Sequence, residues 1–319
     1  MHKLTRAAAL ATLSAVLAGS VQAQDLVKVA VPQRGTWETS VPDLGNQAGI
    51  FAKHGIKLEV LYTSGGGETM QALISGSVDV AIATGAAAVF AAYVKGAPVR
   101  PVATSVTGAR EIFWYVKADS PIKSLKDATD ATTIAYSTNG SSSNNIVVAF
   151  GAELGSKAKP TATGSPAGTL TAVMSGQVDI GWAAPPFGLK EIKEGKIRIV
   201  AHGSDVPSLR GQTVRVLIVN ADALKTKHDA IMRFMQAYRE AVDWMYSDPK
   251  AVDMYSEKMK LPVDLLKESM DKFQPKEALQ TDKMADLDGA VRDAVKLKFL
   301  EKPLTKEQLA ELIQIPPRK

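Results

Sequence analysis

One segment of this chain occurs twice. Residues 69–80, which read Thr-Met-Gln-Ala-Leu-Ile-Ser-Gly-Ser-Val-Asp-Val, return as residues 169–180 with the same Thr, Ala, Ser, Gly, Val and Asp at the same places. A Gly-, Ser- or Pro-rich run precedes each copy, and a run of small apolar residues follows it. A single repeat of this length differs from a solenoid, which stacks several shorter units. The duplication therefore predicts two lobes of similar build, each containing a strand–helix–strand unit.

The first copy has the pattern of a helix between two strands. Residues 58–61 favour a strand, apolar residues recur at helical spacing over 69–74, and Gly76 stands where a helix-ending glycine belongs. The Ser-Gly-Gly-Gly loop at 64–67 would then open onto a helix N-terminus, where unpaired N–H groups attract anions. The alternative is that these glycines only form a tight, solvated turn.

A second loop of the same kind is expected at residues 137–144. It reads Ser-Thr-Asn-Gly-Ser-Ser-Ser-Asn and precedes a predicted helix over 145–154 that ends at Gly155. Hydroxyl groups beside unpaired helix N–H groups suit the binding of an anion. An ordinary helix cap with a polar approach is the alternative.

The first residues have the pattern of an export signal. Lys3 and Arg6 precede the apolar run 7–18, and Val21 and Ala23 fit the positions before a cleavage site. The run is too short to span a membrane. The chain has no cysteine, which excludes disulfides, a thiol nucleophile and a lipid-modified N-terminal cysteine. We therefore expect cleavage after Ala23 and a location in the periplasm.

The rest of the chain is long enough for two lobes with their own cores. Strands and helices alternate from residue 26, which favours an α/β fold with mainly parallel sheets. We expect lobe I to comprise residues 24–109 and 217–319 and lobe II residues 110–216, with two strands crossing between them. Ligands of such sheets bind at the carboxyl ends of the strands. The formal net charge of +5 comes from interspersed charges of both signs, which does not suggest a nucleic-acid partner.

Several phrases resemble one family over essentially the whole chain after the signal. They include Ala-Gly-Ile-Phe-Ala-Lys-His-Gly-Ile at 48–56, the repeat, and Ala-Asp-Ser-Pro-Ile-Lys-Ser-Leu-Lys-Asp at 118–127. The chain resembles the periplasmic substrate-binding proteins of ABC importers, in the nitrate, taurine, alkanesulfonate and thiamine-precursor-binding group. The resemblance implies the type II periplasmic binding protein fold, a monomer that holds a small ligand between two lobes, and an ABC permease in the inner membrane as partner.

The resemblance also implies the residues that line the ligand site. They are Gln33, Trp37, Ser64, Gly65, Gly66, Thr84, Gly85, Thr138, Ser141, Ser142, Ser143 and Trp182. Arg34 and Arg110 are further candidates, because a guanidinium binds carboxylate or sulfonate with two N–H groups. Each could instead be a surface charge.

The expected ligand is a small organic anion, a sulfonate or carboxylate, and an aromatic body is one option for it. Nitrate or a neutral heterocycle are alternatives. We expect no cofactor, no metal and no catalytic residues, because no hydrolase, metalloprotease or phosphate-loop motif occurs. An exported enzyme or a sensory protein on the same fold, acting on a thiamine-precursor-like heterocycle, is the alternative function.

Overall fold

The computed structural model describes residues 24–318. The predicted export signal, residues 1–23, lies outside the described residues, so its cleavage stays a prediction. None of the helices within 24–318 is both long enough and apolar enough to cross a membrane.

Ten strands within residues 24–318 form the sheets of the two lobes. They are β1 (Asp25–Pro32), β2 (Ile56–Thr63), β3 (Val80–Gly85), β4 (Val99–Thr107), β5 (Phe113–Lys117), β6 (Thr133–Tyr136), β7 (Lys159–Ala162), β8 (Gly181–Ala183), β9 (Ile197–His202) and β10 (Thr213–Asn220).

The helices lie between and after these strands. They are α1 (Val41–Gln47), α2 (Ile50–Lys53), α3 (Gly66–Ile74), α4 (Ala86–Val94), α5 (Ser142–Leu154), α6 (Pro166–Met174), α7 (Leu189–Lys193), α8 (Ala221–Thr226), α9 (His228–Ser247), α10 (Pro249–Met259), α11 (Val263–Phe273), α12 (Leu287–Lys296) and α13 (Lys306–Leu312).

The strands divide into two groups, which we call lobe I and lobe II. Lobe I has a five-stranded sheet in the order β2–β1–β3–β10–β4, with β1 parallel to β2 and β3, and β10 antiparallel to β3 and β4. Lobe II has the antiparallel sheet β8–β5–β9 and the parallel pair β6–β7, linked by a bridge between Ile134 and Ile180. The predicted two-lobed α/β fold is confirmed, and the sheets are mixed because the crossing strands pair antiparallel.

The two copies of the repeat have the same local structure. In lobe I the hydroxyls of Thr63 and Thr69 lie 2.7 Å apart, and in lobe II those of Thr163 and Thr169 lie 2.6 Å apart. In each lobe this pair joins the end of a strand to the first turn of the repeat helix, α3 or α6. The predicted strand–helix–strand units are therefore present in both lobes.

The aspartate of each repeat also has an equivalent role in both lobes. Asp79 accepts a hydrogen bond from the backbone N–H of Lys28 at 2.9 Å, and Asp179 accepts one from the N–H of Thr133 at 2.7 Å. Asp79 thus pairs with β1 of lobe I, and Asp179 pairs with β6 of lobe II. Asp79 also forms an ion pair with Lys227. The two carboxylates stabilise the lobes separately and do not form a pair with each other.

The C-terminal helices pack mostly on the elements of lobe I. Helix α9 packs on α1, α2 and β1, and helix α12 packs on α4. Helix α11 also reaches lobe II, because its last residue, Phe273, stacks on His202 with ring centroids 6.0 Å apart. The C-terminal part of the chain therefore covers one side of the junction between the lobes.

Candidate functional site

The first rim of the candidate site is the N-terminus of α3 in lobe I. Gly65 is the N-cap residue and offers no side chain to the unpaired N–H groups of the first turn. At the equivalent place in lobe II, Ser165 caps its own helix by accepting a hydrogen bond from Gly168 N–H at 3.3 Å. The α3 end therefore differs from its copy in lacking a cap from its own lobe.

The missing cap comes from lobe II. The backbone N–H of Gly67 donates to Oγ1 of Thr138 at 3.0 Å. A Cβ placed on Gly65 would lie 2.6 Å from that same oxygen, and one placed on Gly67 would overlap the carbonyl oxygen of Asn139. Glycine is thus needed at both positions for the lobes to approach this closely.

The end of β3 approaches lobe II in the same way. A Cβ on Gly66 would lie 3.7 Å from Cα of both Thr84 and Ser141, and one on Gly85 would lie 2.9 Å from the carbonyl oxygen of Gly140. The hydroxyl of Thr84 does not face this contact but donates to the carbonyl of Val216 at 3.0 Å. The structure therefore brings the backbone at 65–67 and 84–85 against residues 137–141.

The serines of lobe II form a local network at the start of α5. Oγ of Ser141 accepts a hydrogen bond from Asn144 N–H at 3.1 Å and lies 3.0 Å from Oγ of Ser143. Oγ of Ser143 accepts another from Ser137 N–H at 3.0 Å. Ser142 is buried and lines a crevice with Ala86 of lobe I. The hydroxyls thus hold the 137–143 loop in shape at the boundary with lobe I.

Of the polar residues that follow β1, Gln33 lies at the candidate site and Arg34 lies on the surface. Gln33 has a left-handed backbone conformation, and its Nε2 donates to the carbonyl of Ser64 at 3.1 Å, which ties two loops of the first rim together. The guanidinium of Arg34 is exposed and lies 3.9 Å from the ring centroid of Tyr62. Arg110 is also exposed. Neither arginine lies at the contact between residues 65–67 and 84–85 of lobe I and residues 137–141 of lobe II.

The two tryptophans are packed inside their lobes. Trp37 is buried edge-on against Tyr246 and Tyr255, with ring centroids 5.9 and 5.0 Å apart. Trp182 is buried in β8, opposite Trp114 of β5. Trp37 belongs to lobe I and Trp182 to lobe II, and each ring packs within the protein. Whether either contacts a ligand stays a prediction.

Sequence reasoning missed a group of buried charges at the junction of the lobes. Nη1 of Arg215 in β10 lies 2.9 Å from Oε2 of Glu38, and its Nη2 contacts Oε1 of Glu111. The one signal in the sequence is Arg215 itself, a single charge inside an otherwise apolar and β-branched strand. A charge at such a position requires a buried partner.

Two sheet-containing lobes, joined by crossing strands and meeting at the carboxyl ends of β2 and β3, define the class of periplasmic binding protein folds. A protein-family model described as "NMT1/THI5 like" matches residues 44–252. The chain therefore belongs to the NMT1/THI5-like family, and the resemblance seen in the sequence is confirmed. No curated protein sequence matches the chain.

Solved structures of this fold are similar over nearly the whole chain. The alkanesulfonate-binding protein SsuA from Xanthomonas axonopodis pv. citri, bound to MOPS, matches with a TM-score of 0.74 at 17% identity, covering 91% of this chain and 98% of that one. The periplasmic nitrate-binding protein NrtA from Synechocystis PCC 6803 gives 0.67 at 17%, covering 91% and 85%. The CA3427 gene product of Candida albicans gives 0.72 at 15%, covering 92% and 98%. The fold and the family are consistent with a solute-binding protein of an ABC importer.

Proposed function

We propose that this chain is the solute-binding component of an ABC uptake system. It captures a small organic anion, a sulfonate or a carboxylate, between its two lobes in the periplasm and delivers it unchanged to a membrane permease. The proposed lobe boundaries are residues 24–109 with 217–319, and 110–216. Family membership and the similarity to sulfonate- and nitrate-binding structures support this role.

The observation that carries the proposal is the hydrogen bond between Gly67 N–H and Thr138 Oγ1 across the lobes. A helix N-terminus whose cap arrives from another lobe is left with unpaired N–H groups when that lobe moves away. Unpaired N–H groups and the helix dipole favour a negatively charged acceptor. An anion that enters the open cleft can therefore take the place of Thr138 on α3.

The second lobe offers a complementary surface. Helix α5 begins at the same contact, and the serine network around Ser141 and Ser143 orders its N-terminal loop. An anion between the two helix ends would receive N–H and O–H donors from both lobes. Because the donors belong to different lobes, one ligand stabilises the closed state by its higher affinity for that state. This is the property that a carrier needs and that catalysis does not require.

The proposal is tested by a thermal-shift screen of residues 24–319 with sulfonates, carboxylates and their neutral amide or alcohol counterparts. Compounds that raise Tm are then titrated by calorimetry and recovered for mass spectrometry. We expect the anions alone to bind and to be recovered unchanged. A compound that is recovered chemically altered would show that the chain is an enzyme.

The serine loop gives a matched pair of variants for the compound that binds best. A hydrogen bond to a charged group contributes about 1.5–3 kcal/mol, so Ser142→Ala with Ser143→Ala should lower affinity at least about tenfold. The control is Ser75→Ala with Ser175→Ala, two exposed turn residues at equivalent places of the repeats. Unchanged affinity in the first pair would mean that Ser142 and Ser143 only order the loop at the start of α5.

A further inference from the structure

Within residues 24–318, six residues other than glycine have a left-handed backbone conformation. They are Gln33, Ala83, Ala109, Lys260, Asp286 and Lys298. Three of them flank the ends of α10 and α12, where helix caps account for a positive φ, and two adjoin the candidate site. Ala109, with φ of 49°, lies apart from both groups. An L residue is disfavoured in this conformation about five- to thirtyfold, so its presence at Ala109 requires a cause.

Ala109 lies in the first of the two segments that cross between the lobes, between β4 and β5. On one side of it, the N–H of Gly108 donates to the carbonyl of Gln212 at 3.0 Å, and Gln212 directly precedes β10 of lobe I. On the other side, the N–H of Gly203 donates to the carbonyl of Ile112 at 2.8 Å, and Gly203 directly follows β9 of lobe II. The first crossing is thus fixed to lobe I at one end and to lobe II at the other, with Ala109 and two further residues between. A rotation of the lobes must change backbone dihedral angles in this stretch and in the matching part of the second crossing.

Contacts with the second crossing hold Ala109 in this conformation. Ala109 is fully buried, and a Cβ placed on Gly203 would lie 2.5 Å from its carbonyl oxygen and 3.0 Å from its Cβ. A Cβ placed on Gly108 would lie 2.7 Å from the carbonyl oxygen of Arg210. The two crossings therefore touch backbone to backbone around Ala109. A strained residue persists only where its surroundings fix it, and here those surroundings belong to the other crossing, which shifts when the lobes rotate.

The lobes are closed in this structure, since Gly67 N–H and Thr138 Oγ1 are hydrogen-bonded across them. We propose that Ala109 is a strain element of the hinge, whose left-handed conformation belongs to the closed arrangement and relaxes when the lobes separate. Closure then costs free energy at Ala109, so the lobes separate when the cleft is empty and close when a ligand bonds to both. The same strain favours release of the ligand once the lobes are drawn apart. This inference rests on the proposed function only in that a ligand supplies the free energy of closure.

The variant Ala109→Gly tests the strain directly, because glycine adopts a positive φ about as readily as a negative one. Its matched control is Lys260→Gly, which relieves the same backbone conformation at the exposed end of α10, outside both crossings. In residues 24–319 without ligand, the ratio of closed to open molecules should rise about fivefold in Ala109→Gly. We therefore expect a smaller radius of gyration than in the wild type by small-angle X-ray scattering, and no change in Lys260→Gly. By calorimetry, the best compound of the anion screen should bind about fivefold more tightly to Ala109→Gly.

An equal or a larger radius in Ala109→Gly would overturn the proposal. An equal radius would mean that Ala109 is strained in both arrangements of the lobes, and a larger one that glycine only loosens the crossing. A smaller radius in Lys260→Gly as well would also overturn it, because the effect would then not come from the hinge. The scattering needs no ligand, so its outcome is independent of the anion screen. Binding of sulfonates or carboxylates with equal radii would retain the proposed function and remove only the strain element.

Discussion

The backbone N–H of Gly67 in lobe I and the hydroxyl of Thr138 in lobe II lie 3.0 Å apart. This bond caps helix α3 from the opposite lobe, whereas the equivalent helix α6 is capped by its own Ser165. The duplicated units have therefore diverged at the point where they meet. Capping of α3 and closure of the lobes become one event.

Replacing Thr138 by valine should favour the open arrangement. The substitution removes the oxygen that pairs with Gly67 N–H and keeps the shape of the side chain, at a cost of about 0.5–1.5 kcal/mol to the closed state. We expect a larger radius of gyration by small-angle X-ray scattering without ligand. Thr171→Val, at an exposed position of α6, is the matched control, and an unchanged radius in Thr138→Val would show that the bond does not influence closure.

Replacing Gly67 by alanine should prevent closure altogether. The added Cβ would overlap the carbonyl oxygen of Asn139 in the closed structure, while alanine within α3 favours the helix by about 1 kcal/mol. Affinity for the anion should fall at least about 100-fold with Tm retained, because binding needs both lobes. The control is Gly211→Ala, whose new Cβ has no atom within 4 Å, and this variant should bind the anion normally. Wild-type affinity in Gly67→Ala would show that the close approach of Gly67 to Asn139 is not needed for binding.

Local signals sufficed for much of the fold. The starts of α10 and α11 carry a local signal, because Pro249 is the first residue of α10 and Pro262 directly precedes α11. Gly76 has the left-handed conformation of a helix-ending glycine, with φ of 75°. These features depend on neighbours in the sequence, and so the sequence alone could predict them.

The candidate site was predicted less completely, because its contacts join distant parts of the chain. The glycine and serine loops could be found, since helix ends have local signatures. The packing of Trp37 on Tyr246 and Tyr255 could not be predicted, because those rings belong to α9 and α10, far from Trp37 in the sequence. The pairing of Arg215 with Glu111 likewise depends on the approach of β10 to the turn before β5, which no local pattern specifies.

Removing the buried cation should destabilise the protein strongly. Arg215→Met leaves Glu38 and Glu111 buried without a counter-charge, which costs about 3–5 kcal/mol. Urea unfolding at neutral pH should show this loss, and adding Glu111→Gln to Arg215→Met should recover part of it. Arg292→Met, on the exposed face of α12, serves as control. A loss of stability below 1 kcal/mol in Arg215→Met would contradict the prediction that the two glutamates need Arg215 as their counter-charge.

His202 should make stability depend on pH. Burial lowers its pKa, with a smaller contribution from the charges of Lys272 and Arg110, while Asp205 acts in the opposite direction. The unfolded chain therefore binds a proton more readily than the folded one, so stability is full above a pH of about 6.5 and declines as the pH falls below it.

The variant His202→Phe keeps the ring beside Phe273 and removes the proton. Between pH 7.5 and 5.0 its free energy of unfolding in urea should decline less than that of the wild type. His228→Phe, at an exposed position, should decline as the wild type does. Parallel declines in wild type and His202→Phe would exclude His202 as the source.

The central claim is that a ligand closes the two lobes, and the absence of cysteine from the sequence allows a direct test. Ser77→Cys and Gln177→Cys place single thiols at equivalent exposed turns of the two repeats, where spin labels report the separation of the lobes. The measurement is the distribution of label-to-label distances by pulsed electron resonance, with and without the compound that binds best. We expect a broad distribution of distances without the compound and a single narrow one when the compound saturates the site. The same distribution in both samples, with the compound bound by calorimetry, would contradict the claim.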